Sequence, residues 1–379
     1  MRIMNVALAH DAALGGLHRS VGDFARALDA GIVSFEPGPV AAQETSGQGV
    51  AVTRIPCGAW FPARGCHVVA AAAARRAEQA VADAELLVVH SLFRGHAPWA
   101  AGFAARQGRR YWAVPHACLD PRTLARGWPA KPLWLGTVGR RFLARAERIV
   151  FSSRRSLEKA GRHAAAARSV AIHWPVAIPD AHDRGLRRAE FRAAHAIPGS
   201  ARLLLALGRL HRVKRPVEMI ERFAAAADGE SHLVVAGMDG DLTRSQLEAL
   251  VPSAVRGRVH VIGGLVGAEV TAAYQASDGF IALSWQENFG YAAADALAHG
   301  LPVILSPGHD LAHEMPARDG RFACGWLLPD DSARAAEAAI AEFAAASERD
   351  LAAAGETGRA WAGSELSFDR FRDRLQSML

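Results

Sequence analysis

Leu283-Ser284-Trp285-Gln286-Glu287-Asn288-Phe289-Gly290-Tyr291-Ala292-Ala293-Ala294-Asp295-Ala296-Leu297-Ala298-His299-Gly300-Leu301-Pro302-Val303-Ile304 is the stretch that decides the fold class. It continues from Gly279-Phe280-Ile281-Ala282. Together they begin as an apolar run without polar alternation, which suits a strand buried on both faces. Gly290 marks a turn, and the alanine-rich stretch 291–299 favours a helix. Gly300 stops that helix, and a second apolar run begins at Pro302. Strand, helix and strand at this spacing make a crossover unit, and such units build parallel sheets covered on both faces.

The alternation continues in both directions. Strands are expected over 5–9, 31–35, 85–90, 111–114 and 148–152, and again over 203–207, 232–236, 259–262, 279–283 and 302–305. Helices are expected over 17–28, 70–82, 97–106 and 133–146, then over 216–227, 267–276, 291–299 and 333–346. The alanine tracts 70–74 and 164–167 also read as helix-favouring. Two such series predict an α/β chain of two doubly wound domains. Pro175, Pro179 and Pro198 break regular structure between Trp174 and Ser200, so the domains are drawn as 1–178 and 179–379. Over 366–379, Phe368, Phe371, Leu375 and Met378 stand at helical spacing, predicting a last helix that packs back on the first domain.

Composition narrows the class. Of 379 residues, half are apolar and 22% charged, which excludes a mainly disordered chain. The first apolar run stops at His10-Asp11, too early for a signal peptide, and no long uncharged stretch predicts a membrane span. Cys57, Cys66, Cys118 and Cys324 lack metal or disulfide spacing, so a cytoplasmic protein with reduced thiols is expected. Charge is uneven. Residues 1–180 carry 23 basic and 12 acidic side chains, whereas the remainder carries 21 and 26. A basic first half suits an anionic partner, the competing reading being an arginine-rich composition.

Two segments carry candidate chemistry. In the first, the apolar run 203–207 leads into Gly208-Arg209-Leu210-His211-Arg212-Val213-Lys214-Arg215 and a helix near Pro216. Cations at a strand end beside a helix N-terminus suit a pyrophosphate, with Arg209 as a bidentate clamp and Lys214 as a point charge. In the second, Glu287 ends a strand and Asp295 lies one turn into the next helix. Free N–H groups at that helix start can take a phosphate, and the two carboxylates can accept from sugar hydroxyls. Phosphate-loop, zinc-hydrolase, nucleophile-elbow and dinucleotide fingerprints are all missing. The dispersed histidines, among them His211, His232 and His260, predict no metal site.

Glu287-Asn288-Phe289-Gly290, followed by the acid in Asp-Ala-Leu-Ala-His-Gly-Leu-Pro-Val-Ile, resembles the paired-acid block of glycosyltransferase family 4 (group 1). The Gly-Arg-Leu…Lys segment is similar to that family's diphosphate signature, and the likeness extends over roughly 200–306. Gly15-Gly16-Leu17-His18-Arg19 resembles its N-terminal glycine loop, and Val114-Pro115-His116-Ala117-Cys118-Leu119-Asp120-Pro121 a block of its bacterial polysaccharide-type members. The resemblance implies a GT-B fold, two Rossmann-like domains facing a central cleft, with acceptor bound by the first and nucleotide-sugar donor by the second. It implies a retaining, metal-independent transferase that uses a UDP- or GDP-sugar as co-substrate, without a separate cofactor. The acceptor would be a glycan or lipid-linked glycan, and nucleic acid is not an expected partner.

Carried over residue by residue, His116, Glu287, Arg209 and Lys214 become the catalytic group. Gly15, Gly16, Gly208, Val266, Asn288, Phe289, Gly290 and Asp295 become donor contacts. Three positions depart from the family pattern: Asp295 replaces glutamate, while Arg215 and Ala117 replace glycines. A nucleotide-sugar-binding protein without transferase activity, or a GT-B epimerase, are the competing readings. Residues 131–148 mix Leu133, Trp134, Phe142 and Leu143 with five cations. They predict either a peripheral contact with an anionic membrane or a helix whose apolar side chains pack inward.

Overall fold

The computed structural model describes residues 1–10, 15–36, 43–45, 49–57, 69–126, 131–179, 184–318 and 321–379; Cys66 lies outside them. They divide into two units, Met1–Pro175 with Phe368–Leu379, and Val176–Ser367. Strands are numbered along the chain. The first unit holds β1 (Ile3–Leu8), β2 (Gly31–Glu36), β3 (Gln43–Thr45), β4 (Ala51–Pro56), β5 (Leu86–His90), β6 (Arg110–Val114), β7 (Arg148–Phe151) and β8 (Ser169–Ala171). Their order is β3-β4-β2-β1-β5-β6-β7-β8, parallel except for the β3–β4 pair. Sequence neighbours run outward from β1 on one side and from β5 on the other. The order therefore reverses between β1 and β5, where α/β sheets characteristically open a crevice.

The second unit holds β9 (Arg202–Leu207), β10 (Ser231–Ala236), β11 (Val259–Ile262), β12 (Gly279–Ala282), β13 (Val303–Leu305), the short β14 (Ala317–Arg318) and β15 (Arg321–Phe322), and β16 (Gly325–Leu327). Its main sheet is wholly parallel in the order β11-β10-β9-β12-β13-β16. The reversal here falls between β9 and β12. After Arg202 the strand β9 is apolar, as is all of β12, which suits a sheet covered on two faces.

The helix Phe368–Gln376 belongs to the first unit and packs on Gly16–Ala27. Phe371 meets Phe24 edge to face at 5.1 Å, and Arg26 covers the Phe368 ring at 4.8 Å. Phe371 and Leu375 are buried, each contributing roughly 1.5–3 kcal/mol.

Several elements depart from the sequence reading. The helix Arg184–Ala194 occupies a stretch whose charges and prolines suggested a break. Its charges are structural, because Arg188 and Arg192 grip Asp278 at 2.7 and 2.9 Å. The helix Glu348–Glu365 was hidden by Gly355, Gly358 and Gly363, each costing about 1 kcal/mol against alanine. Gly355 is required there, since a Cβ would strike the carbonyl of Gly300. The tract 164–167 forms turns instead of a helix, so tertiary context overrides alanine propensity.

Residues 131–145 are helical with a π-helical middle, Leu135–Gly139. Trp134, Phe142 and Leu143 are buried, while Leu133 stays 70% exposed. Three of the four apolar residues that suggested a membrane face therefore belong to the core, which is the inward-packing alternative.

Candidate active site

The second unit assembles its candidate residues from loops that leave the C-terminal ends of β9, β12 and β13. After β9, His211 Nδ1 accepts from the Val213 N–H at 3.1 Å and shapes a tight turn, Arg212–Lys214. That turn presents Lys214. After β12, the Trp285 N–H donates to the Val213 carbonyl at 3.0 Å, tying the second loop to the first. Glu287 is then clamped by its backbone: its N–H donates to the Gly308 carbonyl, and its carbonyl accepts from the Asp310 N–H, each at 2.9 Å. The third loop thus fixes the residue that ends the second.

Lys214 Nζ and Glu287 Oε2 form an ion pair, with the lysine side chain one third exposed. Burial works against the Glu287 charge, but Lys214 and the His309 ring outweigh it and hold the carboxyl below its usual range. His309 is buried, and that burial, despite the pull of Glu287, pushes its pKa down to about 4. The site is therefore a carboxylate between an ammonium and a neutral imidazole.

Gly290 stands at φ +80°, and a Cβ there would lie 3.0 Å from Glu287 Cγ and 3.4 Å from His309 Cδ2. Glycine alone lets the helix Tyr291–Ala298 begin this close to the carboxylate. A cavity of about 30 Å³ lies between Gly208, Arg209, Lys214, Glu287, Gly290 and His309. Asn288 and Phe289 border it in sequence, with Phe289 buried edge to face against Tyr291 at 4.9 Å. Asp295 is half-buried one turn into the helix and does not line that cavity. Val266, 62% exposed in the loop after β11, also stands outside it.

His309 escaped the sequence reading. Its only signal is its place just after the third central strand, in Ser306-Pro307-Gly308-His309-Asp310.

In the first unit, Gly15 caps the helix Gly16–Ala27 at φ +60°, and Gly16 is its first residue. His116 follows β6 in a left-handed conformation, φ +52°. The strain therefore falls on the histidine itself, and Ala117, read as the constrained position, has ordinary backbone. Its ring stacks on His90 and meets Trp174 edge to face at 6.0 Å.

Burial holds His96 and His116 down to about 4 and His90 well below its ordinary value. Their folded-state pKa values lie below that of an unfolded histidine, near 6.5. The unfolded chain therefore binds protons first, and stability is lost as pH falls from 6.5 toward 4, about 1.4 kcal/mol for each tenfold difference in proton affinity. Thermal unfolding should show a midpoint that drops between pH 6.5 and 4.5; a flat profile would contradict the burial of neutral rings.

Arg215, in the position read as a replaced glycine, is left-handed at φ +56°. It offsets that strain by reaching Glu218 at 3.7 Å and Asp331 at 3.4 Å, with its guanidinium over Trp285 at 5.7 Å. Arg215→Gly relieves the strain and loses the contacts, so its stability should stay within about 1 kcal/mol of the parent. Arg215→Ala keeps the strain and loses the contacts, so urea unfolding should find it the weaker variant.

Residues 187–361 match the family model described as glycosyl transferases group 1. That segment of the second unit is similar to the family. Across 222 residues it is 28% identical to a GDP-mannose-dependent alpha-mannosyltransferase of Mycolicibacterium smegmatis, covering 55% of this chain and 53% of that protein. Across 149 residues it is 30% identical to the GDP-mannose:cellobiosyl-diphosphopolyprenol alpha-mannosyltransferase of Komagataeibacter xylinus, covering 38% and 35%. The matches thus span about half or less of these relatives. Among solved structures, a sucrose-phosphate synthase from Thermosynechococcus elongatus aligns with TM-score 0.78 at 17% identity, covering 100% and 98% of the two chains. Anabaena Alr3699/HepE in complex with UDP and glucose aligns at 0.78 and 14%, covering 99% and 98%. At such identity the likeness establishes the fold alone, the GT-B architecture of two Rossmann-like domains.

Proposed function

We propose that the chain is a retaining, metal-independent glycosyltransferase that moves a sugar from a nucleotide diphosphate to an acceptor hydroxyl. The observation that carries this reading is the Lys214–Glu287 pair beside His309, set against a helix start at the reversal point of the second sheet. Lys214 and Arg209 stabilise the departing diphosphate, the main catalytic term in such a site. The N–H groups of Asn288, Phe289 and Gly290 add donors, and Gly208 allows close approach. Glu287 holds the transferring sugar, Asp295 the ribose, and Val266 lies toward the base. In the first unit, His116 contacts the donor sugar and Gly15 and Gly16 approach its phosphates.

Incubation with a panel of UDP-, GDP- and ADP-sugars, reading nucleoside diphosphate release, tests the proposal. Donor binding without release would make the chain a nucleotide-sugar-binding protein, and interconversion of the sugar on an intact donor would make it an epimerase.

The acceptor is a glycan or lipid-linked glycan, and the enzyme works in the cytoplasm at an anionic membrane face. No described helix is long and apolar enough to cross a membrane. With Trp134, Phe142 and Leu143 buried, the membrane contact rests on exposed Leu133 and Val138 with Arg140, Arg141 and Arg145. A cavity of about 420 Å³ beside them combines Leu135 and Leu143 with Arg140, Arg162 and Arg168. Each cation near a lipid headgroup contributes about 1 kcal/mol. Co-sedimentation should occur with anionic vesicles, not neutral ones, and weaken with salt. No binding at low salt would favour a soluble acceptor.

A further inference from the structure

The reading of His116 as a sugar contact leaves unexplained why an asparagine and another histidine are buried beneath it. Asn5, within β1, and His90, the last residue of β5, are 0% and 1% exposed. They stand on the two neighbouring strands between which the first sheet reverses its order. His90 Nε2 lies 2.9 Å from Asn5 Oδ1, and His90 Nδ1 lies 3.2 Å from His116 Nε2.

The network determines its own proton positions. Asn5 Nδ2 donates to the Gly31 carbonyl at 3.4 Å, which turns Oδ1 toward His90. An amide oxygen only accepts, so His90 carries its proton on Nε2. Neutral His90 then offers a lone pair at Nδ1, and His116 must donate from Nε2. This leaves Nδ1 of His116 as an acceptor, and no described residue bonds to it.

The surroundings hold that arrangement. The nearest titratable groups facing His90 are His116, His96 and His10. His96 Nε2 lies 2.7 Å from the His90 carbonyl and braces the strand end. Phe24 meets both His90 and Trp174 edge to face at 5.1 Å, so the rings sit in an aromatic wall. Asparagine is the telling choice at position 5. Its amide oxygen selects a tautomer as a carboxylate would.

We propose that Asn5 and His90 are positioning residues that set the tautomer of His116, so that its Nδ1 accepts a hydrogen bond from a hydroxyl of the donor sugar. The proposal rests on the functional reading of His116, and its test separates the two. Long-range proton–nitrogen spectra of the full chain labelled at histidine, recorded at pH 8, report which nitrogen of His116 is protonated. The wild type should be protonated at Nε2. Asn5→Leu removes the acceptor and should shift His116 toward protonation at Nδ1, whereas Asn5→Asp should retain the wild-type pattern. A wild-type His116 protonated at Nδ1 overturns the proposal, even if Asn5→Leu fails to fold. So does an unchanged tautomer in a folded Asn5→Leu. In nucleoside diphosphate release from the donor found by the panel, Asn5→Leu should lower kcat about tenfold with little change in KM, and Asn5→Asp should restore it. His116→Ala is the control: undiminished turnover there removes the sugar contact, while the tautomer result stands on its own.

Discussion

Lys214→Ala is expected to cut turnover about 10²–10³-fold while the chain stays folded. The side chain is one third exposed and its carbon stem fills no core, so the loss falls on charge. Two consequences follow from its pairing with Glu287. The leaving diphosphate loses a preorganised cation, and the carboxylate loses the charge that holds its pKa down. Without Lys214, burial pushes the Glu287 carboxyl up, and His309 alone is a weak counterweight because it is neutral near pH 7. The residual activity should therefore decline toward acid at a higher pH than in the parent. Arg209→Ala should also lower turnover, without that change in profile, because Arg209 makes no ion pair with Glu287. Nucleoside diphosphate release from the donor found by the panel measures both effects. Parent-like rates in both variants would remove these cations from the diphosphate site.

The fold was legible because its information is local. Leu203 to Leu207 and Gly279 to Ala282 have no polar alternation, so a buried parallel strand is their only comfortable place. Glu287 and Gly290 were legible because strand end, turn and helix start lie within a few residues. His309 was not, because its contact with Glu287 joins two loops through backbone pairing that no spacing reports. The same holds for Asn5 and His90, which meet only because β1 and β5 are neighbours. Residues 131–148 show a different limit. Apolar residues interspersed with arginines describe a helix with one greasy side, and only the packed core says that Trp134 and Phe142 face inward. His116 adds a third case, since a positive φ on a non-glycine residue is invisible until neighbouring rings are seen to hold it.

Glu287→Ala is expected to be the most damaging single change, about 10³-fold or more in kcat/KM, and to exceed Asp295→Ala by at least about tenfold. The backbone of Glu287 is held on both sides by residues 308–310, so its carboxylate has little freedom to be elsewhere. Its removal also leaves the Lys214 ammonium beside His309 without a counter-ion, so the variant loses both the sugar contact and the alignment of the lysine. Asp295 is one turn deeper in the helix, away from the cavity that Glu287 lines, and its side chain is a methylene shorter than the family's glutamate. A ribose contact from there contributes to binding more than to the chemical step, so Asp295→Ala should raise the donor KM and leave kcat largely intact. Asp295→Glu should tighten donor binding if the shorter reach is what weakens it. Measuring kcat and KM separately for the three variants decides the assignment: a large kcat loss in Asp295→Ala, with Glu287→Ala still turning over, would exchange the roles of the two acids.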